Sequence, residues 1–309
     1  MQQNIKHLLY VPFTGLGNFG GHRGSRWLKN RIKIFKQFVI PSLLNQTNKN
    51  FILWISWRYE DKDDKIINEF EEWLKTTGLH FFFTYTGVCF WDDKHPDHIA
   101  RERLLTAIHG AMGEILNNIG ECDEVLMTIQ PSDDLYYNGM VNEVQRFFQE
   151  NKNTHVFGYA KGYVIDYLNR RVAEWNPKTT PPFYTIRFPR ETFMDPLKHT
   201  EYTGPYKSHE FVKDYLPAKY IDHRGFLVGT HGINISTVFD HPYTGHEFLG
   251  SNIDNILLDF GIKDVPKLKI SRSPQSILFN KLPYKIKRKL RYWSEKNKIV
   301  SLMYNFLRS

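Results

Sequence analysis

The residues best placed to do chemistry lie in the stretch Glu121–Tyr137, ECDEVLMTIQPSDDLYY, where an apolar run ends in two adjacent carboxylates, Asp133 and Asp134. Val125, Leu126, Met127 and Ile129 are apolar enough for a strand buried on both faces, and Pro131 stops it. The acids then fall where strand gives way to loop. In an open α/β sheet, the crevice beyond the carboxyl ends of the strands is the usual ligand site. Two carboxylates this close repel each other unless something positive holds them. A divalent cation with hard oxygen ligands does so, and it also offers itself to a diphosphate. The pattern therefore predicts a metal–diphosphate site. The structural alternative is that Ser132, Asp133 and Asp134 cap a helix beginning near Tyr136, since SDD is a good N-cap string.

Other stretches hold candidate groups. In residues 92–98, DDKHPDH, the side chains Asp92, Asp93, His95 and His98 could bind a metal, but the run precedes a helix whose natural N-cap is Asp97. Ser208-His209-Glu210 stands directly before Phe211-Val212, so Ser208 would cap a helix with Glu210 in its first turn, favoured by the helix dipole. Phe226–Thr237, FLVGTHGINIST, reads as a strand interrupted at Thr230-His231-Gly232. Gly229 and Gly232 remove the neighbours against which His231 would pack, so a core role explains this histidine poorly. Gly15, Gly17 and Gly20 spell GxGxxG after a strand, a pattern that a dinucleotide-binding fold completes with an acid at the end of its second strand. Here that strand, Phe51–Trp57, runs into Arg58 with no acid before Glu60. A glycine loop can equally let backbone approach a sugar nucleotide, or merely turn.

Groups like these need a sheet to position them, and the first half of the chain alternates strand and helix signals. His7–Phe13 reads as the first strand. From Ser25 to Thr47 the spacing of Trp27, Ile34, Phe35, Phe38, Val39 and Leu43 fits a helix with one buried face, kinked or interrupted at Pro41. After the second strand come an amphipathic helix near Asp63–Thr77, a strand His80–Tyr85, a long helix from about Asp97 to Asn118, and the fourth strand at Val125. Such alternation implies parallel pairing through right-handed crossovers. The second half is less repetitive and reads as added to the sheet. Val156–Val172 holds two aromatic, β-branched runs about Asn169 and Arg170, a hairpin signal, and EWNPKTTPPFYTIRFPR (174–190) reads as a proline-rich loop entering another strand, suited to form the wall of a cleft.

The run Trp27–Ser56, WLKNRIKIFKQFVIPSLLNQTNKNFILWIS, resembles the opening of the rhamnosyltransferase family, part of the large group of glycosyltransferases with the GT-A fold. The strings QPSDD and THGINIST resemble the same family, and together the likeness spans roughly residues 7–245. It implies an α/β fold of GT-A type, a Rossmann-like mixed sheet flanked by helices, with a nucleotide-sugar-binding half (1–150) and an acceptor half (151–280). It also implies a nucleotide-diphosphate sugar as donor, a glycan or lipid-linked acceptor, and Mn or Mg as cofactor. Asp134 would bind the metal, and Asp133 the ribose or the metal through water. His231 would complete the metal site or meet the diphosphate, and Asn234 would contact the sugar or diphosphate. Arg103, or Arg101, would reach the diphosphate from the long helix. Glu210 would be the base that removes the acceptor's proton in an inverting displacement. Two departures stand out: Ser132 replaces the first acid of an Asp-x-Asp motif, and Trp57-Arg58 stand where an acid would contact the nucleotide base.

Composition bounds the alternatives. A chain of 309 residues, 41% hydrophobic and 15% aromatic, has ample material for a core. Cys89 and Cys122 are its only cysteines, so no disulfide framework or zinc cluster is expected. The apolar run of MQQNIKHLLYVPF is too short for a signal peptide, and no run approaches a membrane span, so the expected location is the cytoplasm. The net charge of +8 belongs to the tail: residues 281–309 carry nine Lys or Arg against a single acid, Glu295, leaving 1–280 close to neutral. Basic residues among aromatics suit the headgroup layer of an anionic membrane, and a tail helix packed on the domain with a solvated basic face is the other reading. Nucleic acid is not expected, because the body adds no basic footprint. Two other classes remain in view at this level: a carbohydrate- or nucleotide-binding protein of the same fold without activity, and a nicotinamide oxidoreductase using the glycine loop.

Overall fold

The first four strands are built from side chains that alternate between two covered faces. In β1 (Ile5–Pro12), Leu8 and Tyr10 join one apolar cluster and Leu9 and Val11 the other, and all four are buried. β2 (Ile52–Arg58) divides in the same way, with Ile52 and Trp54 against Leu53 and Ile55. β3 (Phe81–Gly87) and β4 (Glu124–Ile129) complete a parallel set. Strands apolar on both sides need helices on both sides. One face is covered by α1 (Gly24–Ile34), α2 (Ile40–Leu44) and α3 (Lys65–Lys75), the other by α4 (109–119) through Ala111, Ile115 and Ile119. Asp64 caps α3, accepting the Ile66 N–H at 2.7 Å.

The computed structural model describes residues 4–14, 24–87, 109–203, 209–232, 234, 237–263, 267–271, 274–297, 299–300 and 303–304. The glycine loop at 15–20, the 92–98 cluster, Arg101 and Arg103 lie outside them. Beyond β4 come β5 (Leu135–Tyr136), α5 (Met140–Glu150), β6 (Val156–Asp166), β7 (Arg171–Trp175) and β8 (Tyr184–Pro189). Then follow α6 (Arg190–Met194), α7 (Pro196–Thr203), α8 (Val212–Tyr215), β9 (Ala218–Thr230), β10 (Thr244–Phe248), α9 (Ser251–Asp259), α10 (Pro274–Asn280) and α11 (Tyr284–Lys296). The ten strands form one mixed sheet in the order β10-β7-β6-β8-β4-β1-β2-β3, with β9 parallel to β6 and β5 antiparallel to β9. No helix of the described residues is long and apolar enough to cross a membrane.

Because β2 and β3 lie to one side of β1 and β4 to the other, the strand order reverses between β1 and β4. In open α/β sheets such a reversal is where ligand crevices form, at the carboxyl ends of the strands. The hairpin expected about Asn169 and Arg170 is present as β6–β7, with Arg170 in the left-handed region at φ 57°. β8 inserts antiparallel between β4 and β6, so the second half extends the same sheet.

Two local expectations are corrected. The first helix is interrupted before Pro41 rather than at it: Phe35–Val39 form a π-helical turn closed by the Ile40 N–H on the Phe35 carbonyl. A proline ring collides with the carbonyl four residues earlier in a regular helix, and the wider turn just ahead relieves that. The helix expected from Tyr136 does not form. Leu135 and Tyr136 pair with Leu227 and Phe226, and α5 begins only at Met140 with Gly139 at its N-cap. Ser132, Asp133 and Asp134 therefore cap no helix.

One buried group gives the fold a pH dependence. His7 in β1 is 2% exposed, with Nε2 2.7 Å from Thr128 Oγ1, which in turn lies 2.5 Å from Thr185 Oγ1. Burial lowers its pKa from 6.5 to about 3. A histidine depressed by folding contributes stability that is complete above its unfolded pKa and is lost as pH falls toward the folded value. His7 alone should remove about 2 kcal/mol by pH 5. In thermal denaturation, the melting temperature of wild type should fall from pH 7 to pH 5 more steeply than that of a His7→Gln variant; parallel curves would refute this assignment.

Candidate functional site

The turn that follows β4 holds the two acids at the carboxyl end of that strand, and three other elements converge on it. The Gln130 side-chain amide donates to the carbonyls of Pro131 and Asp134, both at 2.9 Å, and clamps the turn. The Tyr136 hydroxyl donates back to the Ile129 carbonyl at 2.8 Å. From the end of α2, Ser42 donates to the Tyr136 carbonyl, and Gln46 donates to the Tyr137 carbonyl while accepting the Val141 N–H. The string PSLLNQT thus works as a brace for the chain leaving the acids. On the other side, the β9 backbone passes so close that a Cβ at Gly229 would collide with the Asp133 carbonyl and the Tyr167 ring.

Asp133 is the anchored acid. Its Oδ2 is ion-paired with the Arg31 guanidinium, accepts from His231 Nε2 at 2.9 Å, and lies 3.3 Å from Asn234 Nδ2. Side-chain exposure is 14% for Asp133, 4% for Arg31 and zero for His231, so this pair sits in a medium where charges interact strongly. Burial alone would raise the Asp133 pKa, but Arg31 and the His231 hydrogen bond outweigh it and hold the carboxyl at about 2. An ionised carboxylate can only accept, so His231 presents its protonated Nε2 to Asp133 and leaves Nδ1 as a bare lone pair. That Nδ1 is buried and has no hydrogen-bond partner among the described residues. Burial keeps the ring neutral by lowering its pKa. Asn234 accepts the His231 N–H at 2.6 Å and donates to the Gly229 carbonyl, and Gly232 turns the chain at φ 76°.

Asp134 stands in the opposite electrostatic condition. Its Oδ1 accepts the Gly229 N–H at 2.8 Å, and burial, followed by the charge of Asp133, pushes its pKa well above the ordinary carboxylate value. It would ionise readily only beside an added cation. Among the described residues no three His, Cys, Asp or Glu side chains form a metal cage. A hard cation shared with a diphosphate needs none, since Mg takes one or two carboxylates and draws its other oxygens from phosphate and water. A histidine whose far nitrogen is held by a carboxylate is also a common metal ligand. The un-ionised Asp134 carboxyl and the bare Nδ1 of His231 are donor types that suit a divalent cation.

The structure brings Asp133, His231 and Asn234 into one hydrogen-bond network beside Asp134. Glu210 is not part of it: it lies in the His209–Phe211 turn before α8, held to the 176–183 loop by His209 Nδ1 at 2.8 Å from the Thr180 carbonyl. Arg103 lies outside the described residues. Sequence reasoning missed Arg31, although its spacing was informative. Arg31 falls four residues after Trp27 and four before Phe35, a charge on the helix face that otherwise reads as buried.

No protein-family model matches the sequence, and no curated protein matches it. Among solved structures, residues 1–349 of S. aureus TarS align over 94% of this chain and 79% of that one, at 13% identity and a TM-score of 0.38. A candidate nucleotide-diphospho-sugar transferase from Desulfovibrio desulfuricans G20 aligns over 74% of this chain and 82% of that one, at 12% identity and a TM-score of 0.36. Mouse xyloside xylosyltransferase 1, in its apo form, aligns over 51% and 52% at 10% identity and a TM-score of 0.26. These superpositions are partial, and the site's own geometry carries the functional argument.

The two acids should respond differently to neutralisation. In metal-free buffer at pH 7, Asp133→Asn strands the buried Arg31 charge and should cost about 3–5 kcal/mol of stability. Asp134→Asn keeps an acceptor for the Gly229 N–H, removes a carboxyl whose ionisation burial disfavours, and should leave the protein at least as stable as wild type. Urea unfolding of the two variants checks this; equal losses would contradict the assignment.

Proposed function

We propose that this protein is a metal-dependent glycosyltransferase that moves a sugar from a nucleotide-diphosphate donor to a glycan or lipid-linked acceptor. The observation that carries the reading is the unequal acid pair at the strand-order reversal: Asp133 is neutralised from within by Arg31, whereas Asp134 has no ion pair among the described residues. A diphosphate arriving with Mn or Mg would supply it with a cation. The sequence resemblance to GT-A glycosyltransferases, centred on PSLLNQT, QPSDD and THGINIST, supports the same conclusion.

In this reading Asp134 and His231 Nδ1 would hold the metal, which when bound would supply charge to offset that gathering on the leaving diphosphate. Asp133 orients His231 through Nε2, and Arg31 fixes Asp133, so the site is organised before the donor binds. Asn234 holds the His231 backbone and lines the sugar–diphosphate position. Glu210 takes the proton from the acceptor hydroxyl as that oxygen displaces the diphosphate from the anomeric carbon with inversion. Arg103 is assigned to the diphosphate and Glu210 to the base from the sequence resemblance. Rhamnose as the transferred sugar has the same basis, whereas a role in surface polysaccharide synthesis at the inner face of a membrane rests on the composition of the basic tail.

A thermal-shift panel of UDP, GDP, dTDP and CMP, with and without Mn, tests the reading. One nucleotide should stabilise the protein in a Mn-dependent way, by about 2.7 kcal/mol at a hundredfold excess over its dissociation constant. Asp134→Ala should abolish the Mn-dependent part, and Glu210→Gln should keep the shift while losing sugar transfer. A Mn-dependent shift that survives Asp134→Ala refutes the metal assignment, and no shift with any nucleotide refutes the transferase.

A further inference from the structure

Helix α11 turns an unusual face to solvent. At 100° per residue, Ile286, Lys289, Trp293 and Lys296 share one side with Lys285 and Tyr292 at its edge, and all six are exposed. Ile286 is 45%, Tyr292 53% and Trp293 54% exposed. The half-buried side is formed by Lys287, Leu290 and Ser294, with the Lys287 ammonium 5.9 Å from the centre of the buried Phe279 ring. A helix that merely packed on the domain would turn its tryptophan and isoleucine inward and its lysines outward. Here the apolar and basic groups share the outward face.

The segments adjoining α11 in the sequence are exposed and apolar as well. Half of the large apolar side chains exposed among the described residues fall between residues 277 and 303, including Leu278 at 63%, Ile299 at 70% and Met303 at 60%. The same region carries the whole net charge, nine Lys or Arg against Glu295 in residues 281–309. Contiguous exposed apolar surface marks a site of contact, and lysines interleaved with it select an anionic partner. A polyanion such as nucleic acid would use the lysines but leave Ile286, Leu278 and Ile299 in water. An anionic bilayer uses both, because its headgroup layer accepts a tryptophan and its phosphates meet the ammonium groups.

We propose that α11, with the exposed Leu278, Ile299 and Met303 of the adjoining segments, is a docking surface for anionic phospholipid. The helix lies in the plane of the membrane, Ile286 and Trp293 enter the headgroup layer, and Lys285, Lys289 and Lys296 meet lipid phosphates. The balanced charge of residues 1–280 leaves this one face to set the orientation. The inference is independent of the donor chemistry, so its failure would leave the transferase reading standing.

Flotation of the full chain with vesicles of phosphatidylcholine, alone or mixed with phosphatidylglycerol, tests it. Binding is expected only with phosphatidylglycerol, and it should weaken as salt is raised. Lys285→Glu/Lys289→Glu/Lys296→Glu should lower the affinity by at least about fivefold per lysine. Ile286→Ser/Trp293→Ser should lower it about tenfold while retaining the salt dependence. These side chains are exposed, so both variants should keep the wild-type circular dichroism and melting temperature. Equal binding to neutral and anionic vesicles, no binding, or binding that both variants retain overturns the proposal. So does preferential binding to a single-stranded RNA, or a dimer lost in Ile286→Ser/Trp293→Ser without vesicle binding, which would make the face a self-contact.

Discussion

A carboxylate pair cannot be buried at the mouth of a sheet unless something compensates its charge, and the Arg31–Asp133 ion pair supplies that compensation for one of the two. An arginine that is 4% exposed is costly to bury alone, and so is an aspartate at 14%. Each makes the other tolerable, and their alignment dictates where α1 must lie relative to the turn after β4. The π-helical turn at Phe35–Val39 then lets the chain reach Pro41 and place Ser42 and Gln46 against the segment that leaves the acids. Gly229 admits the β9 backbone on the remaining side. Helix, turn and strand are thus fitted around one charge pair.

The consequence is an asymmetric site. Asp133 is committed to protein partners and ionised throughout the physiological range, while Asp134 is held by one backbone N–H and resists ionisation. Such a pair is organised for a ligand that brings positive charge, and in the proposed reaction the metal-bound donor is that ligand. His231 links the two conditions: one nitrogen serves Asp133, and the other is left bare. Neutral and wholly buried, it would serve in the proposed reaction as a ligand rather than as a proton carrier.

Much of this was legible in the sequence, though unevenly. The parallel core could be read from alternation in strands such as HLLYV and FILWI, because side chains buried on both faces leave a continuous apolar run. Asp133, Asp134 and His231 could be singled out from the strand end and the flanking glycines, and the structure joins His231 to Asp133. The cap expected of Ser132–Asp134 failed because Leu135 pairs with Leu227, 92 positions away, and a long-range ladder overrides a local capping preference. Arg31 stayed hidden because a lone charge on a helix face has no visible partner in the sequence; Asp133 is 102 residues downstream. The antiparallel insertion of β8 between β4 and β6 likewise depends on pairings that local pattern does not encode.

The central claim is that Asp134 binds a divalent cation carrying a nucleotide diphosphate. Anomalous scattering from crystals grown with Mn and the best-binding nucleotide tests it directly. The account predicts a single strong peak within about 2.0–2.6 Å of an Asp134 oxygen, the span of hard cation–oxygen bonds, with diphosphate oxygens completing the shell. Nucleotide bound in the crevice with no manganese at Asp134, or manganese bound elsewhere on the protein, would contradict it.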